Sequence, residues 1–550
     1  MKFVVFTFIG ILLNLYICAQ IPTIGLLQHD PNSFDEGYVL FAPNANTTTY
    51  LIDKCGRKVH SWNSAYRPGF SVYLLENGDL LRSEVIPNSI YNKPGKGGRI
   101  EKLDWNGNIL WSYEISDSLQ CQHHDIHPMP NGHILVIAWE KKSLLDAYQN
   151  GRDTTMSGTS VWSEKVLEIE PVGSNAANIV WEWHVWDHLI QDFDNSKYNY
   201  GVVAQHPELI DINFNNTNNE DWIHMNAIDY NEDLDQILLS NHNFNEIFVI
   251  DHSTSSLESA SHQGGNAGKG GDILWRWGNP RAYKMGSTQS QKLFLQHNPH
   301  WIKKGLPHAG KILVFNNDHY DAVNNSSFST VDIIDPPVDS AGIYTSTLPY
   351  MPTSAYWSYQ DSIPSNFYSK NISGAEQLPN GNILICSGFN GTFFEVDSNK
   401  KMVWKYINPV SSYIYSQGSL NVVQNNVFRA PFYTKNYSAF ANHNMSPGLP
   451  IELNPYSSNC VLASTTAMLI DKNGIQLFPN PTTSNFNISI QNTLKSDVQI
   501  TLLDLQGRLY YSTKYKQPIT TINTQKWTSG LYILKLNSKD FNYTEKIVVE

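Results

Sequence analysis

Short apolar runs, each opened by a tight turn, recur along most of the chain. They read Asn77-Gly78-Asp79-Leu80-Leu81, Asn131-Gly132-His133-Ile134-Leu135, Ala309-Gly310-Lys311-Ile312-Leu313 and Asn380-Gly381-Asn382-Ile383-Leu384. Asn-Gly pairs supply the positive φ that hairpin turns need. A second type of run closes on tryptophan: Ile109-Leu110-Trp111, Ile179-Val180-Trp181-Glu182-Trp183, Ile273-Leu274-Trp275-Arg276-Trp277 and Met402-Val403-Trp404. Between the two lies a strand ending in an acid, such as Phe248-Val249-Ile250-Asp251 or Phe394-Glu395-Val396-Asp397. Apolar runs this short, bounded by Gly, Asn, Asp and Pro, predict strands.

The pattern repeats near residues 38–62, 70–114, 123–188, 223–280, 296–360 and 373–408. Units of roughly 40–50 residues are the size of propeller blades. The pattern therefore predicts an all-β chain built on a six-bladed β-propeller; the repeats of a β-helix are shorter. The third to fifth units exceed blade length and carry inserted loops, among them Lys141 to Ser163 and Ser253 to Gly271. Long loops gathered on one face often build or cover a site.

Composition narrows the class. The chain has 550 residues and a formal net charge of -12, with no basic cluster to offset it, which argues against nucleic-acid binding. Lys2, the apolar stretch Val4 to Ile17 and small Ala19 read as a signal peptide over 1–19. No transmembrane span is expected in the remainder. Removal of Cys18 leaves Cys55, Cys121, Cys386 and Cys460 in an oxidising compartment, where one or two disulfides are expected.

The chain changes character after residue 455. Residues 456–474 read as a linker, and 475–550 as a compact β-rich module. Its marks are Leu477-Phe478-Pro479-Asn480-Pro481, the turn Gln506-Gly507-Arg508, Trp527-Thr528-Ser529-Gly530 and the terminal Lys546-Ile547-Val548-Val549. This module resembles the C-terminal sorting domain of type IX secretion substrates. The resemblance implies a small Ig-like β-sandwich, export through the periplasm, engagement of the type IX machinery, and a secreted or surface-attached product.

Between them, at 20–455, lies the propeller, and its chemistry gathers in columns. His124 stands eight residues before Gly132 and His127 five before it; Ser373 and Glu376 hold the same places before Gly381. His297 and His300 repeat the spacing of His124 and His127. In the fourth unit His224 takes the first place and Ala227 the second. The innermost strand of a blade lines the central channel, so His124, His224, His297 and Ser373 are expected in one ring. A single histidine near a strand is usually a satisfied structural residue, and His60, His133, His188, His206 and His262 are read that way. Three in register on adjacent repeats call for a function. Neutral imidazole serves as nucleophile, base or metal ligand.

Residues 124–300 resemble the bacterial aryl-sulfate sulfotransferases, on the strength of Asp221-Trp222-Ile223-His224-Met225-Asn226, then Ile237-Leu238-Leu239-Ser240, and Gln296-His297. The resemblance implies transfer of a sulfuryl group from a phenolic sulfate donor to a phenol acceptor without nucleotide, cofactor or metal. It makes His297 the nucleophile that becomes sulfated, with His124 and His224 on the sulfuryl or bridging oxygens. His242, His300, His127, Glu376 and Arg429 are carried as substrate-binding candidates. The chain departs from the family at His242, where an arginine is usual. Imidazole lacks the fixed fork and permanent charge of guanidinium, and Arg429 is the candidate replacement.

Two other readings use the same residues. One is a metal-dependent enzyme with His124, His224 and His297 as ligands and Glu376 beside them. The other is a non-catalytic propeller binding glycans or sulfated ligands at the cell surface. The run Gly264 to Gly271 has no Ser or Thr after Lys269 and precedes a strand, so it reads as a turn and not a phosphate loop.

Overall fold

The computed structural model describes residues 22–549, apart from 156–157, 216–219, 346, 457–459, 461–474, 479–481, 483, 491–496, 516–518 and 540–541. The expected signal peptide lies outside the described residues, as does the expected linker except for Tyr456 and Cys460. The chain divides into two compact units, one ending at Asn459 and the other beginning at Cys460.

The first unit is a ring of six antiparallel sheets. The second blade is representative: Pro68–Leu74, Leu80–Val85, Gly98–Leu103 and Ile109–Glu114 pair in chain order from the axis outwards. The third to fifth blades follow the same order and begin at the inner strands Gln120–Pro128, Met225–Asn231 and His297–Trp301. The ring is locked at both ends of the chain. Gly25–His29 adds a fifth, outermost strand to the sixth blade, whose inner strand is Gly374–Gln377. Phe432–Thr434 returns as the innermost strand of the first blade, beside Gly37–Phe41. Neither closing strand lies within the six sequence units, because each is a lone segment paired far along the chain.

The core is a set of wedges between neighbouring blades. Leu135, Ile137 and Trp183 of the third blade pack with Ile237, Leu239 and Phe248 of the fourth, all buried. Recurring tryptophans clip four of the blades to the next. Trp62, Trp111, Trp275 and Trp404 donate their indole N–H to the carbonyls of Asp104, Ala176, Met351 and Lys54 at 3.2, 2.8, 2.8 and 2.6 Å. Of the two expected inserted loops, the first extends the hairpin Ile134–Ser143 and Ser160–Val172 around the helix Leu144–Gln149. The second carries the short helix Ser256–Ser259.

The second unit is a β-sandwich. One sheet holds Ile475–Phe478, Asn485–Ile490 and Ile519–Asn523; the other holds Gln499–Leu503, Leu509–Lys514, Gly530–Asn537 and Asn542–Val549. Phe486, Ile488, Ile500, Leu502, Leu534 and Ile547 fill the space between them. In the first unit Cys55 is disulfide-bonded, whereas Cys121 and Cys386 are free and buried. Burial pushes both free thiols up, Cys121 to about 11, so neither supplies a thiolate at neutral pH.

Candidate active site

The inner strands of the second to fifth blades each meet their neighbour through an irregularity in the ladder. Residues 123–125 bulge opposite Ile137, and Asn226 and Asn298-Pro299 interrupt the ladders of the fourth and fifth blades. Phe70, His124, His224, Asn298 and Ser373 adopt positive φ, at 95°, 49°, 58°, 54° and 92°. Such conformations are unfavourable for residues with a Cβ and persist where the surroundings enforce them. At His124 the surroundings include Gly95, where an added Cβ would meet the His124 Cε1 at 1.7 Å. The inner edge thus turns side chains from the sheet faces towards the axis.

The result is an unbroken row of imidazoles. Ring centroids lie 4.6 Å apart for His124 and His224, 5.1 Å for His224 and His242, and 5.4 Å for His242 and His297. The structure therefore places His242 between His224 and His297, in the same row. Phe70 stacks on His124 at 5.5 Å and meets Phe428 at 5.2 Å, adding an apolar wall.

The four histidines differ in charge and hydrogen bonding. His297 directs Nδ1 at the Leu295 carbonyl and the Asn317 Oδ1, at 3.0 and 2.9 Å, while its Nε2 accepts the Ile372 N–H at 3.1 Å. Donation by that amide requires a bare Nε2, so the proton sits on Nδ1. Burial, then the neighbouring His242, holds its pKa well below the usual range and keeps it neutral. His242 donates Nδ1–H to the Asn243 Oδ1 at 2.8 Å, and burial together with His224 lowers it to about 4. His224 is the exception. Burial opposes its charge, but the Asp221 carboxylate, 2.5 Å from Nδ1, outweighs it and raises the pKa. Trp139 Nε1–H binds the other Asp221 oxygen at 2.9 Å.

His124 ends a buried chain that the sequence reading missed. Its Nδ1 lies 2.8 Å from the Nδ1 of His123, whose Nε2 lies 2.7 Å from the Glu164 Oε2. The other Glu164 oxygen accepts the Met225 N–H at 2.9 Å. Burial raises Glu164 well above the carboxylate range and lowers His123 and His124 well below the imidazole range. Burial thus favours the neutral form of all three. Glu164 then donates to His123, His123 Nδ1–H donates to His124, and His124 presents Nε2–H.

A second set of side chains holds equivalent places on the five inner strands. Tyr73, His127, Asp229, His300 and Glu376 pair with Leu81, Leu135, Leu238, Leu313 and Leu384, the equivalent members of the five second strands. Asp229, and not Ala227, holds the second place of the fourth blade. The reason is the turn: Asp235, at φ 50°, replaces the expected glycine in a hairpin one residue longer. The same shift puts Asn226 three residues before Asp229, so His224 enters the first ring from outside the strict column. His127 faces Asp229 at 3.3 Å; burial lowers His127 to about 3 and raises Asp229 to about 7. Burial also lowers His300 to about 4 and raises Glu376, whose Oε2 accepts the Phe432 N–H at 2.9 Å. Arg429 donates to Asp125 at 2.6 Å and to the Tyr73 hydroxyl at 3.3 Å. Its guanidinium is therefore engaged by Asp125 and Tyr73.

The missed residues carried weak signals. Asp221 precedes His224 by three residues, and His123 adjoins His124, but Glu164 lies on the next strand pair and no local spacing marks it.

A channel of histidines on a propeller, joined to a β-sandwich tail, defines the class, and comparison with known proteins gives the family. Residues 27–426 match arylsulfotransferase (ASST), and residues 476–550 match the secretion system C-terminal sorting domain. The chain belongs to the arylsulfotransferase family, and its type IX sorting domain marks it for export to the cell surface or the medium. A stretch of 133 residues, 23% of the chain, is 29% identical to the ulvan lyase NLR42 of Nonlabens ulvanivorans; it spans 24% of that protein. A protein of unknown function from Bacteroides caccae is similar in structure at TM-score 0.40 and 11% identity, over 72% of this chain and 98% of that one. The hydrazine synthase of Kuenenia stuttgartiensis gives 0.31 and 12%, over 55% and 68%. Among the described residues no helix is long and apolar enough to cross a membrane.

Proposed function

We propose that the channel moves a sulfuryl group from a phenolic sulfate ester to a phenol through a sulfohistidine at His297. The observation that carries this reading is the row His124–His224–His242–His297, in which the imidazoles differ in protonation. His297 holds its lone pair on Nε2, the state a nucleophile needs. Attack forms the Nε2–S bond and breaks the S–O bond to the aryl group. The Ile372 N–H, released from Nε2, is placed to follow a sulfuryl oxygen. His224, charged against Asp221, stabilises the negative charge spread over the peripheral oxygens, as in phosphoryl transfer.

The leaving phenolate takes the Nε2 proton of His124. His123 passes its Nδ1 proton to His124, and Glu164 passes its own to His123 Nε2, ending as carboxylate. The acceptor phenol then attacks sulfur, the N–S bond breaks, and its proton returns along the same path to Glu164. Phe70 and Phe428 supply an apolar surface for the aryl ring. In this reading Arg429 braces the second set through Asp125, and His127, His300 and Glu376 line the channel.

The experiment is phenol-dependent release of para-nitrophenol from its sulfate, on wild type, His297→Ala and Glu164→Gln. Loss of release in folded His297→Ala supports the nucleophile. With Glu164→Gln, poor leaving groups are expected to slow far more than para-nitrophenolate, which needs little proton assistance. Undiminished turnover in His297→Ala would sink the sulfohistidine, and equal slowing across leaving groups would sink the relay.

A further inference from the structure

Among the described residues, one group of His, Cys, Asp and Glu side chains brings three ligand atoms within 4.8 Å of one another: His188, His262 and Asp272. It lies away from the channel, where the inserted segment Ser253 to Gly271 of the fourth blade returns against the end of the third. His188 is buried and stacks on Trp183, ring centroids 5.5 Å apart and nearly parallel. Its Nε2 lies 2.8 Å from the Ser259 carbonyl, which can only accept, so that nitrogen carries a hydrogen. With its hydrogen on Nε2, an imidazole free of a second proton would aim a bare Nδ1 at the Asp272 Oδ1, 2.8 Å away. Two lone pairs at that separation need a proton or a cation between them. His262 brings its Nδ1 to the same Oδ1, also at 2.8 Å, from a ring that is 59% exposed.

The surroundings hold this arrangement. Trp183 Nε1–H binds the Gly271 carbonyl at 2.7 Å, and a Cβ on Gly271 would meet His188 Nε2 at 2.6 Å. A histidine whose far nitrogen donates to a backbone carbonyl is a typical oriented metal ligand. Two imidazole nitrogens and one carboxylate suit a borderline divalent cation such as zinc, with a fourth position open to water; hard calcium or magnesium would demand oxygen ligands. Tetrahedral zinc at about 2.0–2.1 Å from its ligands separates them by roughly 3.3 Å. The two Nδ1–Oδ1 separations of 2.8 Å fall a few tenths of an ångström short of that, and all three ligand atoms lie within 4.8 Å of one another.

We propose that His188 Nδ1, His262 Nδ1 and the Asp272 carboxylate form a zinc site that latches the fourth-blade insert to the third blade. The ion replaces whatever protons lie between these atoms, and the channel histidines take no part. The test strips the whole exported protein with chelator, titrates zinc chloride, and counts bound zinc per chain in wild type and His262→Ala. His262 is half-exposed and contacts Asp272 from the loop surface, so its removal leaves the core intact. His262→Gln serves as a second variant. Wild type is expected to hold one zinc more than either variant, whatever the channel binds. An equal count in all three, whether each binds or none does, overturns the site.

Discussion

At the scale of single residues, His242 stands in the row between His224 and His297. Burial, and then the neighbouring His224, lower its imidazole to about 4. An empty channel therefore keeps His242 neutral at pH 7. A sulfate ester seated beside it favours the imidazolium, so binding takes up a proton. The KM for an aryl sulfate is expected to fall as pH drops from about 8 towards 5, because the proton becomes cheaper to supply as pH approaches the pKa. His242→Arg is expected to abolish that dependence while keeping low KM throughout. Steady-state KM against pH in the two proteins checks this; parallel profiles would mean His242 does not face the donor.

At the scale of elements, strands of adjacent blades are clamped by ionisable groups outside the channel. Glu168, on the strand Ser160–Val172, meets His133 at 2.5 Å and His252 at 2.9 Å, and His252 also binds Asp235 at 2.6 Å. Against the opposing effect of burial, these partners raise His252 from 6.5 to about 9 and lower Glu168 from 4.5 to about 2. The His252 contribution to stability is full below its unfolded value and disappears as pH rises through about 9. The Glu168 contribution is full above its unfolded value and disappears as pH falls through about 2. Thermal unfolding midpoints are therefore expected to plateau between about pH 4.5 and 6.5. His252→Gln should remove the alkaline decline attributable to this clamp. A variant with the same slope above pH 7 as wild type would assign that decline elsewhere.

At the scale of the whole molecule, the ring depends on the seam between the sixth and first blades. Lys54 and Glu395 form an ion pair there with both side chains fully buried, at 2.5 Å, and Trp404 stacks over the ammonium at 4.1 Å. Glu395 also accepts from the Asp35 N–H and the Asn382 amide, at 2.8 and 2.6 Å. Lys54→Met leaves a buried carboxylate without its cation and is expected to cost about 3–5 kcal/mol. The double variant Lys54→Met with Glu395→Leu should recover part of that loss, since no buried charge remains. Denaturant midpoints of the single and double variants measure the difference.

The sequence by itself determined the repeat, and with it the blade count, because strand periodicity and turn residues are local properties. It also put His127 and Glu376 at equivalent register positions, five residues before Gly132 and Gly381, and matched His300 to them by its spacing from His297. In the fourth blade that reckoning failed: Asp235 replaces the glycine in a longer turn, so Asp229 displaces Ala227. Only the tertiary structure decided what each histidine is able to do. Protonation depends on burial and on partners distant in the chain: Glu164 behind His123, Ile372 on His297, and Asp125 holding Arg429. The closing strands Gly25–His29 and Phe432–Thr434 belong with these, since each is defined only by the partner it meets across the ring. Periodicity travels along the chain, whereas charge states and closure are set by what folding brings together.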